Sequence, residues 1–342
     1  ETPYSNIAIA AIFPAVLYFT GIFLMVHFEA KKQGLKGLPK ESLPNFFKLF
    51  LTKGYLFIPI AVLIVTMSIG YTTSRAACLA ILAAIIVSMF RKDTRLTPKT
   101  FVEAMENGAK NTIGVAAACS IAGIIVGIVS LTGIGLKLAD TLLMLSGGID
   151  IVALFLTMIA CIILGMGVPT TANYVIMATI TAPIILKLIP ETPVLAAHMF
   201  VFYFGIVADI TPPVALAAYA GSAISGGNPL RTGVIATKLA ITAFIIPYIF
   251  VLSPEMLLIN TSVFRVAQII CTSTIGMFAI AGGLEGFMKK KLPWWQRIMA
   301  IAGGLAMIEP NLITDIIGLV LIAFVFVQQY VIKDRSQKAL NA

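Results

Sequence analysis

The 342 residues are 59% hydrophobic and only 11% charged, with a mean hydropathy of +0.99, which excludes an ordinary soluble globular domain. The formal net charge of +9 would suit a nucleic-acid binder, but the basic residues fall in short clusters between apolar runs and read as topology signals facing anionic headgroups. The apolar runs are long, rich in Ile, Ala and Leu and poor in strand alternation, so the expected class is an all-α polytopic membrane protein rather than a β-barrel.

Residues 5 to 27 form a first expected span, carrying Pro14 and ending at His27-Phe28-Glu29-Ala30-Lys31-Lys32. The loop to Lys53 holds six basic residues and the breakers Gly34, Gly37, Pro39 and Pro44. Spans follow at about 54 to 70 and 76 to 90, separated by Tyr71-Thr72-Thr73-Ser74, each near the ~20 residues needed to cross the hydrocarbon core. After Arg91-Lys92-Asp93-Thr94-Arg95, Thr97 suits a helix cap and Pro98 the first turn. That helix carries Glu103, Glu106 and Lys110 and turns apolar from about 112 to 131. Gly133, Gly135, Lys137, Asp140 and Gly147-Gly148-Ile149-Asp150 mark a polar stretch.

From 151 to 166 the chain is apolar but short of a comfortable span, breaks at Gly167 to Thr171 and continues apolar to Leu186, which reads as a re-entrant hairpin. The run 194 to 224 is interrupted by Asp209-Ile210-Thr211-Pro212-Pro213. Further spans are expected at 232 to 252, 264 to 282, 296 to 308 and 312 to 331, the last two separated by Glu309-Pro310-Asn311, with 296 to 308 short for a crossing. Cys78, Cys119, Cys161 and Cys271 sit inside apolar runs without metal spacing and are expected as buried, unpaired thiols.

Lys and Arg in short loops mark the cytoplasmic side. With the 28 to 53 loop inside and 151 to 187 entering and leaving from the outer face, only Arg75, Lys137, Lys187 and Arg265 of the 24 basic residues lie outside. Making 151 to 187 one full crossing would put Lys289-Lys290-Lys291 outside. Charge therefore favours the hairpin independently of the breaker pattern that suggests it.

Two constellations carry chemistry. In the hairpin, Gly165 and Gly167 permit unusual dihedrals, and Pro169 lacks an amide and frees a carbonyl upstream. Loop carbonyls with the Thr170 and Thr171 hydroxyls are hard oxygen donors suited to an alkali cation, while the arm starting near Thr171 turns a positive dipole end toward an anion. The plainer alternative is a proline kink with Thr hydroxyls bonded back to the preceding turn. In the second break Thr211 suits a cap for a helix opening at Pro212, and Asp209, at membrane depth, either ligates a cation, carries a proton or only caps that helix. Ala220-Gly221-Ser222-Ala223 and Ser225-Gly226-Gly227-Asn228 add small residues that let helices approach closely.

His27 and His198 are expected as interfacial side chains, and Trp294-Trp295 beside Lys289 to Lys291 as a headgroup anchor. There is no His-Glu-x-x-His, P-loop, paired membrane aspartate or Gly-x-Ser-x-Gly pattern, so an enzyme is not expected.

Gly165 to Tyr174, Asp209-Ile210-Thr211-Pro212-Pro213 and Asn228-Pro229-Leu230-Arg231 resemble the large membrane subunit of tripartite ATP-independent periplasmic (TRAP) transporters, a DctM-like permease. The likeness is greatest to the fused permeases of the TAXI branch, as Val26-His27-Phe28-Glu29-Ala30-Lys31-Lys32 and the last two spans also suggest. The resemblance implies an ion-transporter-superfamily fold with inverted repeats, each with a re-entrant hairpin and a broken helix, and elevator-type movement. It implies uptake of an organic anion, a carboxylate, driven by a sodium gradient, with a proton as the other candidate coupling ion. The implied partners are a TAXI-type solute-binding protein and a small membrane subunit fused upstream, and the implied location is the inner membrane of a prokaryote with the C-terminus cytoplasmic.

Carried over residue by residue, Gly167, Pro169, Thr170 and Thr171 at the hairpin tip and Asp209, Thr211 and Pro212 in the facing break would share a sodium ion. Thr171, Asn173 and Pro213 would meet the solute. The implied division is 1 to 53 as the tail of the first repeat and a linker, 54 to 111 as scaffold, 112 to 252 as the second-repeat transport unit and 253 to 342 as additional helices. The family's first hairpin and its broken helix have no counterpart here, so the chain is expected to start at the tail of the first repeat and to lack half of the site. The competing expectations are a receptor-independent dicarboxylate or citrate symporter of the same superfamily, and a channel.

Overall fold

The computed structural model describes residues 2–37, 39, 43–90, 94–308 and 312–331. Regular structure among them is helical, apart from one isolated bridge between Phe287 and Lys291. Seven helical stretches in the described residues are long and apolar enough to cross a membrane, and four shorter apolar helices accompany them. The protein is an all-α polytopic membrane protein. The expected separator Glu309-Pro310-Asn311, the cluster Arg91-Lys92-Asp93 and the basic C-terminal tail lie outside the described residues.

In chain order the helices are α1 (Tyr4–Ala10), α2 (Ile12–Lys32), α3 (Phe46–Lys53), α4 (Ile58–Ser68), α5 (Thr73–Met89), α6 (Pro98–Thr132) and α7 (Ile134–Ser146). Then come α8 (Asp150–Gly165), α9 (Thr170–Ile180), α10 (Ala182–Leu188), α11 (Val194–Val207) and α12 (Leu216–Ser225). The chain ends in α13 (Pro229–Phe244), α14 (Ile246–Leu252), α15 (Val263–Glu285), α16 (Trp294–Ala306) and α17 (Leu312–Phe326), the last running into a π-helical turn, Val327–Val331.

Prolines set several of the interruptions. Pro14, Pro183 and Pro247 each remove an amide that the carbonyl four residues earlier would need. The helix breaks two or three residues upstream each time, at Ala11, Thr181 and Ile245. The first expected span is therefore two helices rather than one.

Two compact units emerge from the contacts. The first holds residues 1–10 and 36–117. In it α4 and α5 pack as a hairpin, with Thr72 accepting from the Arg75 amide at 3.4 Å to start α5. Helix α3 lies within what reads as a loop, and the Asn45 side chain caps it by accepting from the Lys48 amide at 3.2 Å. Thr97 and Thr100 cap the start of α6 reciprocally, each hydroxyl accepting the other's amide at 3.2 and 2.8 Å. No residue of α3 or α4 is buried, as suits apolar helices whose solvent is lipid.

The second unit holds residues 11–35 and 118–342. Its centre is α11, which contacts α8, α9, α10 and α14 and buries Phe200 and Phe204 completely. Lipid offers no hydrophobic drive between helices, so close packing must hold them. At the C-terminal end α15, α16 and α17 meet through glycines. A methyl on Gly276 would stand 2.8 Å from the Gly304 carbonyl oxygen, and one on Gly303 would stand 3.1 Å from that of Gly318.

The polar stretch after Gly133 is a helix, α7. Its buried Ala139, Leu142 and Ser146 recur at helical spacing, while Lys137 and Asp140 interrupt the apolar pattern in the sequence. Of the four thiols Cys161 is buried, Cys119 intermediate, and Cys78 and Cys271 exposed. The latter two point outward from apolar helices, which corrects the expectation of four buried cysteines.

Candidate functional site

The hairpin is formed by α8, the loop Met166 to Pro169, α9 and α10. Helix α7 packs on α8 and α10, and an ion pair joins Asp140 of α7 to Lys187 in the last turn of α10. Both α8 and α10 are thus held against α7. At the tip Gly167 takes a left-handed φ of +75°, while Met166 and Pro169 are extended. That conformation turns the chain between two helices at the cost of leaving the carbonyls of Met166, Gly167 and Val168 without a hydrogen bond among the described residues.

Thr170 and Thr171 open α9, and both are exposed. Among the described residues neither hydroxyl has a partner. Farther along the same arm Thr179 and Thr181 donate to the carbonyls of Val175 and Met177 at 2.8 and 2.9 Å, as membrane threonines do when a helical carbonyl lies four residues back. Thr170 and Thr171 have no such carbonyl, since the residues four back lie in or before the tip loop.

The second break begins where α11 tightens into a 3-10 turn at Ala208–Ile210 and lasts until α12 starts at Leu216. It contains a cis peptide between Pro212 and Pro213 and a left-handed Ala215 at φ +35°. Thr211 donates to the Val207 carbonyl at 2.9 Å. It caps no following helix, because none opens at Pro212; two successive prolines and the turn at Ala215 delay it by four residues. The Pro213 carbonyl accepts from the Tyr219 hydroxyl, and that of Ile210 from the Thr237 hydroxyl of α13 at 3.0 Å. The carbonyls of Asp209, Pro212 and Val214 take no hydrogen bond among the described residues. The half-buried Asp209 carboxylate has no partner among them either.

The two breaks meet. A methyl on Gly165 would stand 3.1 Å from the Ala208 side chain, and one on Gly167 would stand 3.5 Å from Val214. Asn173 lies between them, 1% exposed, its Nδ2 donating to the Gly205 carbonyl at 2.8 Å. Methyls on Gly165 and Gly205 would stand 2.9 and 3.0 Å from that same amide. Two glycines on different elements therefore make room for one buried side chain. Its Oδ1 has no hydrogen-bond partner among the described residues.

The structure thus gathers Gly167, Pro169, Thr170, Thr171 and Asn173 on one element and Asp209, Thr211, Pro212 and Pro213 on the facing one. Among them Thr211 is spent on its own helix and Asn173 on the contact between elements. The remaining donors are carbonyls, two hydroxyls and one carboxylate, all oxygen, which suits a hard cation. The exposed first turn of α9 has free amides of the kind that suit an anion.

Sequence reasoning missed Gly205, Tyr219, Gly233 and Thr237. Each reads as an ordinary small or aromatic residue of a membrane helix until the break it touches is placed beside it. His198 lies 3.0 Å through Nδ1 from the Tyr174 hydroxyl, with Phe202 at the edge of the same ring, so it joins α11 to α9.

A family model described as "Tripartite ATP-independent periplasmic transporter, DctM component" matches residues 1–264. No curated protein and no solved structure matches the chain.

Proposed function

Because the chain belongs to the family of the DctM component of tripartite ATP-independent periplasmic transporters, we propose that it is a permease that imports an organic anion, a carboxylate, with a sodium gradient. The observation that carries this reading is the meeting of the two breaks. The carbonyls of Met166, Gly167 and Val168 and those of Asp209, Pro212 and Val214 take no hydrogen bond among the described residues, and the two segments come together where a methyl on Gly167 would stand 3.5 Å from Val214. Broken transmembrane helices of secondary transporters use freed carbonyls for the coupling ion and helix N-termini for an anionic substrate.

In this proposal the tip carbonyls, Thr170 and Asp209 hold the cation. Thr171 and the free amides of the first α9 turn receive the carboxylate. The cation neutralises Asp209 and so removes a like charge from the path of the anion, which ties the binding of one to the other. Thr211, Pro212 and Pro213 shape the break rather than ligate through their side chains. The partners in the proposal are a periplasmic solute-binding protein of the TAXI type and a small membrane subunit. The solute-binding protein delivers the anion, and the hairpin unit carries it in an elevator-type movement across the cytoplasmic membrane.

The test is uptake into proteoliposomes containing the permease and its partner subunits, with sodium and proton gradients imposed separately. A sodium gradient alone is expected to drive accumulation, and Thr170→Ala and Asp209→Asn are expected to abolish it while leaving membrane insertion intact. Accumulation driven by a proton gradient with no sodium requirement contradicts the choice of ion. Normal sodium-driven uptake in both variants contradicts the choice of site.

A further inference from the structure

Four charged side chains meet where α2, α13 and α15 pack together. Glu285, the last residue of α15, has a side chain with no exposed surface, and its Oε2 lies 2.7 Å from Lys238 Nζ and 3.4 Å from Lys32 Nζ. The same two ammonium groups lie 3.7 and 3.5 Å from Glu29 Oε2, and Gln33 donates to Glu29 Oε1 at 2.6 Å. Among the described residues Glu285 Oε1 is buried with no donor on it, and the Glu29 carboxyl lies beside that of Glu285, so the two acids share the two ammonium groups. A fully buried carboxylate is tolerated only while its counter-charges stay in place, so α15 and α13 cannot slide or rotate past each other without exposing Glu285 to an unpaired state.

The lysines lie within residues 1–264, where the family match falls, and Glu285 lies beyond it. The helix bearing Lys238 is also the one that seats the second break. Thr237, the preceding residue, shares its hydroxyl hydrogen between the carbonyls of Ile210 and Gly233, each at 3.0 Å. A methyl on Gly233, one turn earlier on the same face, would stand 3.2 Å from Ala215 and 3.4 Å from Pro212. Successive residues of a helix point about 100° apart. One face of α13 therefore holds residues 210 to 215 while the adjacent face is locked by the ion pair.

We infer that Glu285 is a positioning residue for the Asp209 to Ala215 break: through Lys238 it fixes the rotation and height of α13, and with them the seat that Gly233 and Thr237 offer to the break. The inference gives the helices after residue 264 a part in the site and rests on the proposed function only in taking that break as the binding element.

The experiment is amide hydrogen exchange on the reconstituted protein with neither sodium nor solute added, so that it answers whether or not the break binds them. Exchange of the amides at 208–211 and 214–216 is expected to rise at least tenfold in Glu285→Gln and in Thr237→Val. In Lys238→Met, which removes the same ion pair from its other end, exchange at these amides is expected to rise as it does in Glu285→Gln, and amides at 182–188 in the hairpin base are expected to stay unchanged throughout. Unchanged exchange at the break in Glu285→Gln, or in Lys238→Met, overturns the inference. Thr237→Val keeps the test open if Glu285→Gln does not insert: unchanged exchange at the break in that variant overturns it as well. Loss of sodium-driven uptake has no bearing on these outcomes, so a wrong ion or solute is told apart from a wrong seat.

Discussion

Asn173 shows how far a single residue can be read from sequence. A carboxamide in an apolar run marks a polar site, and the family resemblance implies that it meets the solute. The structure buries it against Gly205, 32 residues away, with Gly165 cut back to admit it. No local pattern pairs residues so separated, and the two glycines look like any helix-packing glycines. The two roles separate experimentally. As a contact between hairpin and broken helix, Asn173→Ala strands a buried acceptor and should cost about 1–3 kcal/mol. Gly205→Ala, which drives a methyl into the amide, should cost a similar ~1–3 kcal/mol by overpacking. Both are expected to lower the melting temperature in detergent, whereas a pure solute ligand would change solute affinity and leave melting unaltered. Thr170 and Thr171 were legible for a simpler reason: hydroxyls placed directly after a proline-containing loop have no helical carbonyl to bond back to.

At the scale of elements, the sequence gives up its breaks more readily than its short helices. Gly167 to Thr171 and Asp209 to Pro213 are visible because proline and glycine act within one or two turns, and the structure breaks both runs where those residues stand. Helices α3 and α7 escape because each is short and amphipathic, and in a chain this apolar a few charges look like a loop. The crossing of α15, α16 and α17 is equally hidden, since it depends on glycines of different helices coming to one level. Gly304 is the sharpest case: a methyl there would stand 2.6 Å from the Gly276 carbonyl oxygen, so the backbones themselves must part. Gly304→Leu is expected to separate α15 from α16, lower the melting temperature by several degrees and red-shift the emission of Trp294 and Trp295, which lie on α16. An unaltered melt and spectrum would mean that this contact contributes little.

For the whole molecule the decisive distinction is between a hairpin and a crossing. The charge pattern leads us to expect Lys137, Lys187 and Arg265 on one side of the membrane and Lys48 and Lys290 on the other, and the Asp140 to Lys187 ion pair ties the end of the hairpin to the helix that precedes it. In a background without the four native cysteines, Lys137→Cys and Lys187→Cys are expected to react with a membrane-impermeant thiol reagent from the same side, and Lys290→Cys from the opposite one. Labelling of positions 137 and 187 from opposite sides would make 151 to 187 a full crossing and invert everything after it.

The central claim, that the two breaks share one cation, is tested most directly by equilibrium binding of radioactive sodium to the purified protein. The account predicts saturable binding that is lost in both Thr170→Ala and Asp209→Asn, variants on opposite sides of the contact, while Thr179→Ala on the far part of α9 binds as the parent does. Saturable binding that survives in both Thr170→Ala and Asp209→Asn would contradict it.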